Sequence, residues 1–227
     1  MGFEEDIAIR QNARFFGINL DIEAPEKINE YERMQEKMEQ EQRYEEYKES
    51  GVPEKFWNES FETYICDSDE KYVVYDKVKS FAEEPKNRVL VLCGKNGTGK
   101  SHLACSVIRE YGGEYITSSM LCLKYDSATG YKAEMTREQI LLHYSKFKML
   151  VIDECCKYFL NDQLEKFLLM QIICMRYENN KPTVLVSNAD KETFIKFLGK
   201  SVFDRMTEVC STLQFDWESK RNEKREK

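Results

Sequence analysis

The stretch Gly94-Lys95-Asn96-Gly97-Thr98-Gly99-Lys100-Ser101 satisfies G-x-x-x-x-G-K-[ST] at every position, with the apolar run RVLVLC before it and the helix-forming run HLACSVIRE after it. Strand, glycine loop and helix in that order form a phosphate-binding loop. The glycines let consecutive backbone N–H groups turn inward around an anion without Cβ clashes, and the helix that follows points its positive end at the same place. Lys100 adds a point charge for the phosphates, and the Ser101 hydroxyl is a ligand for Mg²⁺. Gly94, Asn96, Gly97, Thr98, Gly99, Lys100, Ser101 and His102 are therefore the expected nucleotide-binding residues.

The remainder of the chain alternates as such a loop requires. DSDEKYVVYDKVKSFAEE predicts a capped helix and EYITSS a strand; SMLCLKYDS and REQILLHYSK read as helices, FKMLVIDE as a buried strand. A helix at about 161–178, the strand PTVLVSN, the helix KETFIKFLG and a last strand, STLQFDW, complete the series. Short Val/Leu/Ile-rich strands between helices indicate βαβ units and a parallel sheet covered on both faces, an α/β three-layer domain. The 227 residues suffice for one such domain with an appendage. No run of about 18 apolar residues is present, which excludes a membrane-spanning helix. The first residues, MGFEEDIAIR, carry neither a basic-then-apolar leader nor a myristoylation pattern, so a cytoplasmic protein is expected.

Charge and cysteine usage narrow the class. Residues 21–50 hold 11 acidic and 5 basic side chains, whereas residues 51–227 hold 27 of each sign, so an acidic arm precedes a neutral body. A neutral body can still carry a local basic groove for nucleic acid. EKINEYERMQEKMEQEQRYEEYKE predicts one long helix with a thin apolar stripe of Ile28, Tyr31, Met34, Met38, Tyr44 and Tyr47, read either as a solvated helix or as one that docks on a partner. Ser50-Gly51-Val52-Pro53 ends it, placing a domain boundary between 52 and 53. The eight cysteines contain no C-x-x-C pair and several sit inside apolar runs, which points to buried thiols and not to zinc.

Two more strands end in chemistry. Lys148-Met149-Leu150-Val151-Ile152-Asp153-Glu154 delivers two carboxylates to the carboxyl edge of the sheet, where open α/β sheets bind ligands. Asp153 would hold Mg²⁺ through water and Glu154 would act as general base toward an attacking water; paired acids also end strands for solubility. Thr183 through Asn188 is a second buried strand with a polar end, where Asn188 would orient that water or simply close a turn. Asn180-Lys181-Pro182-Thr183 lacks the carboxylate that reads guanine in N-K-x-D, so ATP is the expected nucleotide. A small-molecule kinase on the same loop would close an Arg-rich lid, and no Arg cluster lies between Glu154 and Asn188.

Taken together, Ser50-Gly51-Val52-Pro53 through Phe61, Gly97 through Ala104, Val151 through Glu154, Ser187-Asn188, Leu198-Gly199 with Asp204-Arg205-Met206, and the ending Phe215-Asp216-Trp217-Glu218-Ser219-Lys220-Arg221 resemble one group. It is that of the AAA+ ATPases of bacterial and phage replicative helicase loaders, of the DnaC and DnaI type, with the IstB transposition ATPases as close relatives. The likeness covers residues 50–221.

The resemblance implies an ATPase domain at 53–227 after an arm at 1–52, with no separate C-terminal lid, since 39 residues follow Asn188. It implies Arg205 as an arginine finger reaching a neighbouring subunit's nucleotide, for which a surface ion pair with Asp204 or Glu208 is the alternative. It makes Arg221 a second sensor arginine. It further implies self-association, a DnaB-type helicase as partner and single-stranded DNA gripped through residues 118–146. There Lys124, Tyr125, Tyr131, Lys132 and Arg137 are the available contacts, unless that segment is only a solvated helical loop. An IstB-like helper acting on a transposase is the competing reading. This chain departs from the group in Lys95-Asn96 where Pro-Pro is common, in Cys155-Cys156 after the acids, and in Ser201 where an additional Arg is frequent.

Overall fold

The computed structural model describes residues 25–85, 88–129, 133–157, 162–199 and 209–219. Two compact units divide the chain, Met1–Glu45 and Glu46–Lys227. In the first, the described part is the body of helix α1 (Pro25–Glu49), where Met34 and Met38 are exposed. The last turn of α1 belongs to the second unit: Tyr47 is buried and its hydroxyl donates to the Phe56 carbonyl at 2.9 Å.

In the second unit a short 3₁₀ turn (Glu54–Phe56) leads to α2 (Asp69–Glu83), β1 (Val89–Gly94), α3 (Lys100–Tyr111), β2 (Glu114–Thr117) and α4 (Ser118–Ser127). There follow α5 (Arg137–Lys146), β3 (Leu150–Cys155), α6 (Asp162–Glu178), β4 (Thr183–Ser187), α7 (Lys191–Leu198) and β5 (Cys210–Phe215). Among the described residues only α7 and β5 follow β4. Local chemistry sets the helix starts: Ser68, Thr117 and Asp190 each accept a backbone N–H three residues on, and Thr136 forms a capping box with Gln139.

All five strands run parallel in the order β2-β3-β4-β1-β5. β1, β3 and β4 are apolar on both faces, as their unbroken Val/Leu/Ile runs predicted. Val91, Cys93, Ile152 and Leu185 pack with Leu168, Leu169, Ile172, Phe194 and Leu198 on one face. The alternate residues Leu90, Leu92, Val151 and Val184 turn to the other. All eight cysteines are free thiols, and burial pushes Cys93, Cys122 and Cys156 up to about 12, so they stay protonated as the sequence suggested.

One buried cation fastens this core. Arg176, wholly enclosed on α6, donates to the Thr183 hydroxyl at 2.8 Å, to the carbonyls of Tyr144 and Phe147 at 3.0 Å each, and to those of Ser145 and Pro182. It thereby satisfies the carbonyl end of α5 and the entry to β4 together. Among the described residues no carboxylate pairs with it, and burial lowers its pKa to about 10. Replacing Arg176 with Met leaves those acceptors buried and unpaired, and should cost about 3 kcal/mol or more in chemical denaturation.

Burial also raises the carboxyl of Glu114, at the start of β2, to about 7. The folded state then binds its proton more tightly than the unfolded chain, so this contribution is complete below the ordinary carboxylate range and is lost as pH rises through 7. Melting temperature should fall between pH 5 and pH 8 by more in the native protein than in Glu114→Gln, which keeps an uncharged group there.

Candidate functional site

In a parallel sheet every strand ends on the same edge, and at that edge lies a cleft of about 470 Å³. Asn96, Gly97, Thr98, Gly99, Lys100, Ser101 and His102 line it from the loop between β1 and α3, and Asp153, Glu154 and Asn188 line it from the ends of β3 and β4. Residues far apart in the chain are thus brought to one cavity.

The loop's shape depends on two glycines. Gly94 (φ 123°) leaves β1 pressed against the backbone of Phe215, where a Cβ would collide with that residue's carbonyl. Gly99 (φ 95°) caps α3, and a Cβ there would stand 2.7 Å from the Tyr64 ring. The neighbouring strands carry the loop: Gly94 N–H donates to the Ala189 carbonyl at 3.0 Å and Lys95 N–H to that of Phe215 at 3.1 Å. Lys100, nearly enclosed, donates to the carbonyls of Gly94 at 2.7 Å and Lys95 at 2.5 Å, and Gly94 enters the site through that carbonyl and not as part of the wall.

Opposite, β3 does not stay in register to its end. Ile152 pairs with Leu185, but Cys155 pairs with Ser187, so β3 holds one extra residue. Glu154 (φ 59°) within the bulge and Cys156 (φ 66°) just past it sit in the left-handed region, a strain of the order of 1 kcal/mol each. The bulge also separates the environments of the two acids. Asp153 is buried, accepting from the Tyr115 hydroxyl at 2.7 Å and the Glu154 N–H at 2.6 Å. Glu154 is exposed to the cleft, with Lys157 3.3 Å from its carboxylate.

Several participants were not visible as motifs. Tyr115 lines the cleft, and burial beside Asp153 drives its pKa far up, so its hydroxyl remains a donor. Its position on a strand one pitch before Thr117 was the available signal, since alternation sends both to one face. Pro53, Glu59, Thr63, Tyr64 and Ile65 build the opposite wall. His102, expected as a nucleotide residue, is tied to that wall: Nδ1 donates to Glu59 at 2.5 Å and Nε2 faces the Ser60 carbonyl at 2.8 Å.

The expected DNA contacts gather elsewhere. Arg137 stacks over Tyr125 with its guanidinium carbon 4.9 Å from the ring centre, Phe167 meets that ring edge-on at 6.3 Å, and Lys124 donates to the Tyr144 hydroxyl at 3.0 Å. Asp126, 3.9 Å from Arg137, offsets part of the positive charge. Tyr131, Lys132, Arg205 and Arg221 lie outside the described residues.

Comparison with known proteins adds four findings. A family model described as IstB-like ATP binding protein matches residues 26–227. The replicative helicase loader DnaC of Buchnera aphidicola subsp. Schizaphis graminum is 32% identical over 181 residues, 76% of this chain and 73% of that one. An insertion sequence IS232 ATP-binding protein of Bacillus thuringiensis subsp. berliner is 32% identical over 134 residues, 56% of this chain and 52% of that one. Among solved structures, the DnaC helicase loader superposes with a TM-score of 0.60 at 19% identity, over 72% of this chain and 99% of that one.

Because Tyr115 is the side-chain donor to a buried carboxylate, Tyr115→Phe should destabilise the protein by about 1–3 kcal/mol in denaturant titration, with the ring's packing retained.

Proposed function

Because the chain belongs to the IstB-like ATP binding protein family, AAA+ ATPases with a parallel P-loop sheet, we propose that it loads a DnaB-type replicative helicase onto single-stranded DNA at the expense of ATP. The observation that carries this is one cleft uniting the phosphate loop with Asp153, Glu154 and Asn188, in a chain with a helicase loader at 32% identity over most of its length.

In this reading the amides of Gly97 and Gly99 enclose the triphosphate and Lys100 moves from its loop carbonyls to the terminal phosphates, where a fixed cation stabilises developing charge. Glu154, on its bulge and open to the cleft, takes the proton of the attacking water, and Asn188 orients that water. No group of three or more His, Cys, Asp or Glu able to hold a metal gathers among the described residues. The oxygen donors that line the cleft, the Ser101 hydroxyl and the Asp153 carboxylate, suit Mg²⁺, a hard cation that keeps several waters and needs few protein ligands. The Ser101 hydroxyl and Asp153, already oriented by Tyr115, would hold the ion, which neutralises charge between the phosphates when bound. Arg205 would reach a neighbour's nucleotide and Arg221 would sense the chain's own, so that ATP drives assembly. The acidic helix of residues 25–45 would dock on the helicase, with Met34 and Met38 as its exposed apolar anchors. Lys124, Tyr125, Arg137 and Phe167 would hold unpaired bases by charge and stacking.

A second reading changes only the partner. The insertion-sequence relative favours delivery of a transposase. Retention of a purified DnaB-type helicase, and not of a transposase, on the immobilised protein supports the loader; the reverse supports the helper.

Lys100→Ala should weaken ATP binding by about 100-fold or more in calorimetry, the loss of an enclosed charge-assisted contact. Glu154→Gln should bind ATP normally yet release phosphate about 10²- to 10⁴-fold more slowly. Normal turnover by the Glu154 variant removes it as the base.

A further inference from the structure

The phosphate loop is gripped by the last residue of β5 and the two residues after it. The Phe215 carbonyl takes the Lys95 N–H, and the Asp216 carbonyl takes Lys95 Nζ at 2.7 Å. The indole Nε1 of Trp217 then donates to the Thr98 carbonyl at 2.9 Å, and the Tyr64 hydroxyl reaches the same oxygen at 3.4 Å. Thr98 is enclosed, so this carbonyl depends on protein donors. The indole is itself fixed: the Phe215 ring packs on it with centroids 4.9 Å apart, and the Lys71 ammonium, paired with Asp67, stands 5.9 Å from its centre.

A trans peptide points its C=O and N–H in opposite directions, and the described chain has no cis peptide. Trp217 lies outside the cleft wall and Gly99 within it. A Thr98 carbonyl held toward the indole therefore turns the Gly99 N–H away from it, at a residue that itself lines the cavity. The next residue in this peptide pair is a glycine, for which rotation about φ is nearly free of steric cost, so an unheld 98–99 peptide can flip and withdraw its amide. Ordering that peptide in advance removes a cost from ligand binding.

We infer that Trp217 is a positioning residue of the nucleotide site: its indole N–H sets the 98–99 peptide so that the Gly99 amide meets a nucleoside polyphosphate, and it couples occupancy of the cleft to docking of residues 215–217. The inference rests on the reading that this loop encloses a triphosphate. It gives the C-terminal segment a role in the affinity of the site apart from any catalytic step.

The test compares ATP and ADP affinity by calorimetry in the native protein, Trp217→Phe, which keeps an aromatic ring without the donor, and Trp217→His, which restores an N–H. Loss of one hydrogen bond that orders the site predicts about tenfold weaker binding in Trp217→Phe, a rise in KM with kcat at saturation unchanged, and partial recovery in Trp217→His. Tyr64→Phe, losing the longer contact, should weaken binding less. Native protein that binds no nucleotide refutes the triphosphate reading itself. Native binding with equal affinity in Trp217→Phe overturns the positioning role alone, and so does a lowered melting temperature with affinity unchanged. Should Trp217→Phe fail to fold, Trp57→Phe leaves Trp217 as the remaining one of the two tryptophans. Its emission must then shift when ATP is added, and an emission that ATP leaves unchanged overturns the coupling.

Discussion

The site depends on how β1 leaves the sheet. β1 lies between β4 and β5, paired with both in parallel register, so its last residue, Gly94, reaches the carboxyl edge with a strand end on either side. Those two ends supply the acceptors that hold the loop: Ala189, just after β4, takes the Gly94 amide, and Phe215, closing β5, takes that of Lys95. A glycine is required where the chain passes, because the Phe215 backbone occupies the place of a side chain. The loop is thus suspended from the edge of the sheet before Gly97, Gly99 and Lys100 contribute anything.

Across the cleft, strain and satisfaction place two adjacent acids in two different environments. An extra residue in β3 keeps Asp153 inward, where a phenol and a backbone amide fix both its oxygens, and sends Glu154 outward on a left-handed backbone. A regular strand would also place them on opposite faces, but it would not hold the second acid at the cavity rim. Such a conformation persists only where surrounding packing over-determines it. Here the Ser187 hydroxyl donates to the Cys155 carbonyl at 2.9 Å and Glu165 accepts the Cys156 amide at 2.7 Å.

The order of elements was legible from periodicity and caps. Each strand and helix read from the run 68–215 forms within a few residues of its expected place, because buried parallel strands are unbroken apolar runs and helix starts carry Ser, Thr or Asp. The phosphate loop and the two acids were legible for the same reason: their spacing is local. Tyr115, Trp217 and Arg176 were not. Alternation with Thr117 could place Tyr115 on a face but not pair it with Asp153, and a tryptophan after the last strand and an arginine within a helix have no local pattern that separates a structural anchor from a surface side chain.

By itself the sequence determined the phosphate loop, the alternation of strands and helices, the acidic character of the arm, and hence the fold class and the chemistry of the ligand. All of these follow from residue types at short, fixed separations. The tertiary structure alone decided which strand stands beside which, that the two acids differ in exposure, that His102 is tied to Glu59 and that an indole 119 residues away holds the Thr98 carbonyl. Those are long-range pairings, chosen by sheet order and by the need to satisfy enclosed donors and acceptors. That need acts on the assembled core and leaves no periodic trace along the chain.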